Sequence, residues 1–149
     1  MTGKANASLS RLFASAKSLN DVSDRLTAQI KDIEAALAAN GIGVEGWVHL
    51  ENWSEQADGY ALDYSAGLGY GKHNGKWGLL YSIWCEQIGE STKSFLRDTA
   101  REVRISALEK LPDLFDKLSE ETQKLTQKAT ENLSVAQEVA SALKTNGRK

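Results

Sequence analysis

A chain of 149 residues with 41% hydrophobic and 26% charged residues has the length of one domain and an ordinary globular composition, which excludes a disordered or low-complexity chain. Its formal net charge of −2 supplies no overall basic field for nucleic acid or an anionic membrane. The single cysteine, Cys85, excludes an intrachain disulfide and a cysteine-rich metal site.

No run approaches the ~18 apolar residues of a membrane span and no signal-peptide core is visible, so the expectation is a cytoplasmic protein with no membrane partner. The chain reads as one α+β domain over 1–149, with a helical arm (1–41), a β-meander (44–88) and a helical region (91–145) broken at Pro112.

The amino-terminal stretch to Asn20 carries Lys4, Arg11 and Lys17, much Ser and Ala, and no acid before Asp21. That composition suits a transit peptide or a surface-lying amphipathic helix, but the apolar pattern continues straight through it. Leu12, Leu19, Leu26 and Ile33 recur every seven residues, with Ala16, Ile30 and Leu37 on the adjacent row, which predicts one long packed helix. Ser18 and Asp21 carry the spacing of a capping arrangement, so a break near Ser18–Asn20 is expected as an alternative. Asn40-Gly41 predicts the helix end, Gly taking the left-handed position and Ile42 folding back as its apolar partner.

Residues 44–51, VEGWVHLE, suit a pleated surface and predict a first strand. His49 and Glu51, two apart, are expected on one face. The polar stretch from Asn52 to Gly59 is read as the turn into the next strand. Residues 60–86 then read as a hairpin closed by Asn74-Gly75, the pair a type I′ turn prefers. Centring the turn there pairs residues whose numbers sum to 149, so Tyr70 faces Leu79, Leu68 faces Tyr81 and Ala66 faces Ile83. Alternation places Tyr60, Leu62, Tyr64, Ala66, Leu68, Tyr70, Leu79, Tyr81 and Ile83 on one apolar face that the helices must cover. Cys85 ends that face and reads as a small buried hydrophobe.

The other face carries Gly67, Gly69, Gly71 and Gly78, with Leu80 and Trp84 beside them. Glycines clustered in strands mark curvature, or the close approach of a helix, a partner or a ligand. A small ligand held there by Trp77, Trp84 or Leu80 is one reading. The glycines do not open a helix, so they are no phosphate loop.

After Gly89 a helix is expected, capped by Ser91 or Thr92, with Leu96, Ala100, Val103, Ala107 and Leu111 as its buried row. Lys93, Arg97, Arg101 and Arg104 would then form a basic stripe able to meet phosphates, with Lys72 and Lys76 at the hairpin tip. Pro112 ends that helix and suits the first turn of the next. The last helix runs to about Lys144, with Leu111, Leu118, Leu125, Asn132 and Val139 every seven residues and Phe115, Thr122, Ala129, Ala136 and Leu143 on the adjoining row.

The fold expected is α+β: a long amino-terminal helix, a three-stranded antiparallel β-meander and two carboxyl-terminal helices. His49 and His73, the two histidines, lack spaced partner ligands, and no nucleophile or metal signature occurs. The sequence thus points to a non-enzymatic protein with no cofactor and no metal. It would act through protein interaction as a homo-oligomer or a subunit of a larger assembly, its helical stripes bearing Leu118 and Leu125. The alternative is a nucleic-acid-associated regulator using Arg97, Arg101 and Arg104. Trp84 is the candidate contact on the sheet.

Overall fold

A computed structural model describes residues 3–147. Helix α1 spans Gly3–Ala39, strands β1 to β4 span Gly46–Ala57, Tyr60–His73, Lys76–Cys85 and Glu90–Phe95, and after a 3₁₀ turn at Leu96–Asp98 come α2 (Arg101–Leu108) and α3 (Leu111–Gly147). The strands form one antiparallel sheet in chain order. The class is α+β as expected, but the sheet has four strands rather than three.

The β2–β3 register is the one the Asn74-Gly75 turn dictates: Tyr70 pairs with Leu79, Leu68 with Tyr81 and Ala66 with Ile83. Asn74 and Gly75 have φ of 51° and 79°, as a type I′ turn requires. The β1–β2 turn is narrower than the polar stretch suggested. Asn52 through Ala57 continue β1, paired as far as Ala57 with Tyr60, and only Asp58 and Gly59 turn, both with positive φ. The first two strands therefore extend beyond β3 as a two-stranded ribbon, and Tyr60 near its tip is exposed.

A register shift between His49 and Glu51 inserts a bulge in β1. His49 pairs with Gly67 and Glu51 with Ala66, so the two lie on opposite faces, because an extra residue reverses the alternation. The expected shared face does not exist.

The segment after Gly89 is not a helix at its start. Glu90–Phe95 pairs with β3 from Cys85 to Leu80, giving that strand its second neighbour. Helix α2 begins only at Arg101. Pro112 sits in the first turn of α3, where its missing amide costs nothing.

The core lies on the face away from the glycines. Leu68, Tyr70 and Leu79 pack there with Ile30 of α1, Leu96, Ala107 of α2, and Leu111, Leu114 and Leu118 of α3. Gly46 lets α3 approach closely, since a Cβ there would come within 2.9 Å of Leu118 Cδ2. At the end of α1, Gly41 has φ of 71° and the Ile42 amide donates to the Leu37 carbonyl at 3.0 Å, which closes the helix as its sequence predicts. No break occurs at Ser18–Asn20; α1 is continuous, as the unbroken apolar repeat favours.

Candidate interaction surfaces

The four basic residues expected in one stripe are distributed over three elements. Lys93 is on β4, Arg97 on the 3₁₀ turn, and Arg101 and Arg104 on α2. Arg97 Nη1 lies 3.0 Å from Glu34 Oε1. Arg101 donates to Asn20 Oδ1 at 2.8 Å. Arg104 donates to the Thr99 carbonyl and, at 3.2 Å, to Ser23 Oγ. Lys93 stands over the Trp47 ring, 5.5 Å from its centroid. Arg97, Arg101 and Arg104 thus tie the 3₁₀ turn and α2 to α1, and Lys93 lies against Trp47 of β1, so the four do not line up as one helical stripe. The reason is that Glu90–Phe95 is extended, which destroys the four-residue helical spacing.

Glu34 is the centre of that fastening. Its side chain sits on α1 beside the point where β4 stops pairing, and Oε2 accepts the Leu79 amide at 3.0 Å. β4 reaches only Leu80, so the carboxylate satisfies a strand amide that the sheet no longer covers. Arg97 in turn stacks over Phe95, 4.3 Å from the ring centroid.

The glycine face is occupied by the chain's own side chains. The Trp47 indole lies flat over Gly69, where a Cβ would collide with the ring, and Glu45 covers Gly71. Trp47 Nε1 donates to Glu45 Oε1 at 2.9 Å. Phe95 and Glu34 cover Gly78. Close approach is therefore why glycine is used, and the approaching group is internal. Leu80 is fully buried, and Trp77 lies on the other face against Tyr70, ring centroids 5.5 Å apart. Of the residues expected to hold a ligand there, Trp84 alone remains open, at 43% exposure.

Trp84 borders a shallow depression of about 420 Å³ lined also by Asn52, Ser54, Asp63, Ser65 and Glu86. Ser54 Oγ donates to Asp63 Oδ1 at 2.6 Å and Gln87 Nε2 to Oδ2 at 2.8 Å. Those two hydrogen bonds hold the Asp63 carboxyl below its usual range. In the sequence, the signal that places Asp63 is Asp58-Gly59, whose turn sets Ser54 opposite it.

His73 packs edge-on against Phe95 with centroids 5.2 Å apart, and Cys85 is buried. Among the described residues no group of three or more His, Cys, Asp or Glu is placed to hold a metal ion, and no helix is long and apolar enough to cross a membrane.

Most of the exposed large apolar side chains are on the two long helices. Each has 37 residues, about 55 Å of helix, and only part of each touches the sheet domain. On α1 the buried positions are Ser23, Ile30 and Glu34. Residues 6–22 are exposed throughout, Leu9, Leu12, Phe13, Leu19 and Val22 among them. On α3 burial stops at Leu118, and residues 122–147 are exposed throughout, including Leu125, Leu133, Val135, Val139 and Leu143. Of the two leucines expected at an interaction surface, Leu118 belongs to the core at 4% exposure and Leu125 to the bare arm at 55%.

The arms leave the domain at separate places. Asn20 and Ser23 of α1 adjoin α2 through Arg101 and Arg104, whereas Leu125 and Lys128 of α3 lie beside residues 43–45 of the α1–β1 connection.

The fold thus defines a small α+β domain, one sheet with helices on one face, carrying two free helical arms. No family model, no curated protein and no solved structure matches the chain.

Proposed function

We propose that this chain is a non-catalytic assembly protein that binds protein partners, other copies of itself included, through its two helical arms. The observation that carries this reading is the continuity of each apolar stripe. Along α1, the seven-residue row that sets Ile33 against the core, beside Ile30 and Leu37 of the adjacent row, runs back through Leu19 and Leu12, which are bare. Along α3, the row that buries Leu111 and Leu118 continues to the exposed Leu125 and, past the polar Asn132, to the exposed Val139.

Large apolar side chains in a row on a solvated helix are costly unless covered, and isolated helices draw most of their stability from packing such a face. The core of the sheet domain is closed by the inner halves of the same helices.

Light scattering after size-exclusion chromatography tests the reading. The parent should have a mass of more than one copy, and Leu125→Glu with Val139→Glu, or Leu12→Glu with Leu19→Glu, should lower it. A parent that is strictly one copy at every concentration, and that binds no partner through either arm, would contradict it.

A further inference from the structure

We infer that the α1 arm of one copy docks across the ribbon end of another copy's sheet, its bases against the acids that rim that surface. This inference rests on the arm reading above and names the partner of the α1 arm.

The surface continues the core face along the β1–β2 ribbon. Glu51, Trp53 and Glu55 of β1 stand opposite Ala66, Tyr64 and Leu62 of β2, and Tyr64 and Ala66 pair in turn with Cys85 and Ile83 of β3. Alternation puts them on the face that carries Leu68 and Tyr70. The core and the side chains packed on it reach Leu50 and Tyr81 but include none of Trp53, Leu62, Tyr64 and Ile83. Those four are half-buried, with Trp53 stacked on Tyr64 at 5.4 Å between ring centroids. They form an apolar floor outside the core.

Acids rim this floor. Glu51 and Glu55 stand along β1, and Glu90 of β4, opposite Cys85, lies on the same face at the other edge. Glu102 and Glu109 overhang it from α2, where they line a depression of about 250 Å³ with Leu50, Glu51 and Tyr81. Lys110, the base on that rim, is already 3.7 Å from Asp113 Oδ2.

The α1 arm has the complementary pattern. From Gly3 to Asn20 it carries Lys4, Arg11 and Lys17 and no acid. At 100° per residue, Ala5, Leu9, Leu12, Phe13, Ala16 and Leu19 fill an arc of roughly 120°, with Lys4 and Arg11 beyond one edge and Lys17 beyond the other. Among the described residues, neither these three bases nor Glu51, Glu55 and Glu90 take part in an ion pair within the chain. Such opposed, unpaired charges flanking two apolar centres fix orientation and reject wrong partners. The α3 arm fits the surface less well, since Lys128 and Asn132 fall inside its apolar arc and Glu131 and Glu138 would meet like charges.

The dimensions agree. Glu51 to Ala57 spans about 20 Å of strand, and three strands are about 10 Å across. Residues 3–20 make a rod about 25 Å long and about 10 Å wide. A chain's own arm does not occupy its own floor, because α1 is unbroken and residues 6–22 are exposed throughout. The arm must therefore come from a second copy.

Charge exchange in the full chain tests this. The arm variant is Lys4→Glu with Arg11→Glu and Lys17→Glu, and the sheet variant is Glu51→Lys with Glu55→Lys and Glu90→Lys. All six positions are exposed, and unchanged circular dichroism certifies that each variant keeps its fold. By light scattering, each variant alone should have a lower mass than the parent, and an equimolar mixture of the two should regain the parental mass, because each then offers the other an oppositely charged partner. A parent that assembles while either variant keeps its mass, or while the mixture fails to regain it, would overturn this inference and leave the arm reading standing. A parent of one copy that binds another protein through its arms would do the same. A single copy with no arm partner would overturn both readings.

Discussion

Glu34 and Arg97 meet at 3.0 Å across the seam between α1 and the sheet, and the same carboxylate accepts the Leu79 amide. A charge at 8% exposure holds its place because it has both a guanidinium and a backbone donor. Arg97→Ala should cost on the order of 3 kcal/mol, because it leaves that carboxylate without its counter-ion in a buried site. The double change Glu34→Ala with Arg97→Ala should cost less than the sum of the single changes, with a coupling of about 1 kcal/mol or more. Urea denaturation of the four proteins measures it, and strict additivity would show that the pair does not act as a unit.

Trp47 and Gly69 form a second such fit. Any side chain at Gly69 collides with the indole, which is held by Glu45 and overlaid by Lys93. Gly69→Ala should destabilise by about 1–3 kcal/mol through overpacking and should shift tryptophan emission. Gly43 has no neighbour within 4 Å of a built Cβ, so Gly43→Ala should stay within about 0.5 kcal/mol of the parent. Equal effects at the two glycines would mean that the indole does not need the glycine seat.

The two leucines of α3 should part company under charge. Leu118→Glu puts a carboxylate into the core and should unfold the domain, at a cost beyond about 3 kcal/mol. Leu125→Glu should leave tryptophan emission and the folded sheet unchanged while reducing mass in solution. Circular dichroism and light scattering on the same samples read both. Unfolding by Leu125→Glu would place that residue in the core after all.

Alkaline pH probes the tyrosines. Burial, with the negative charge of Glu34 adding to it, raises the Tyr70 phenol above its ordinary 10.0, and burial with Glu51 raises Tyr81. A folded value above the unfolded one means that the neutral phenol is favoured in the fold. Its contribution is complete below the unfolded pKa and is lost as pH rises through the folded one. Stability should therefore fall above pH about 10, and less steeply in Tyr70→Phe. That variant should also cost about 1 kcal/mol at neutral pH, for the hydrogen bond from its hydroxyl to the Ile42 carbonyl, 3.2 Å long. Denaturant midpoints across pH give both quantities. An unchanged slope in Tyr70→Phe would remove Tyr70 as a source of the loss.

Local chemistry made much of this fold legible. Asn74-Gly75 determined a whole strand register, Gly41 ended α1, and Pro112 marked the start of α3, each because backbone conformation at those positions belongs to few residue types. The same rule applied to Asp58-Gly59 would have shortened the first turn and lengthened β1. What stayed hidden depends on long-range pairing. Glu90–Phe95 has weak propensity of its own and becomes a strand because β3 offers an open edge, and the bulge after His49 leaves no mark in composition. With β4 extended, Arg97, Arg101 and Arg104 acquired internal partners that a helical reading could not supply. The seven-residue stripes were legible along their whole length, but not the residue at which each leaves the core, since Leu118 and Leu125 look alike in sequence.

Amide hydrogen exchange across residues 122–147, followed by mass spectrometry at several protein concentrations, tests arm-mediated assembly most directly. An exposed helical arm frays and exchanges quickly, whereas one covered by partner helices is protected. The account predicts protection of this segment at high concentration and its loss on dilution, while β2 and β3 stay protected throughout. Fast exchange of the segment at every concentration, with the sheet protected, would contradict it.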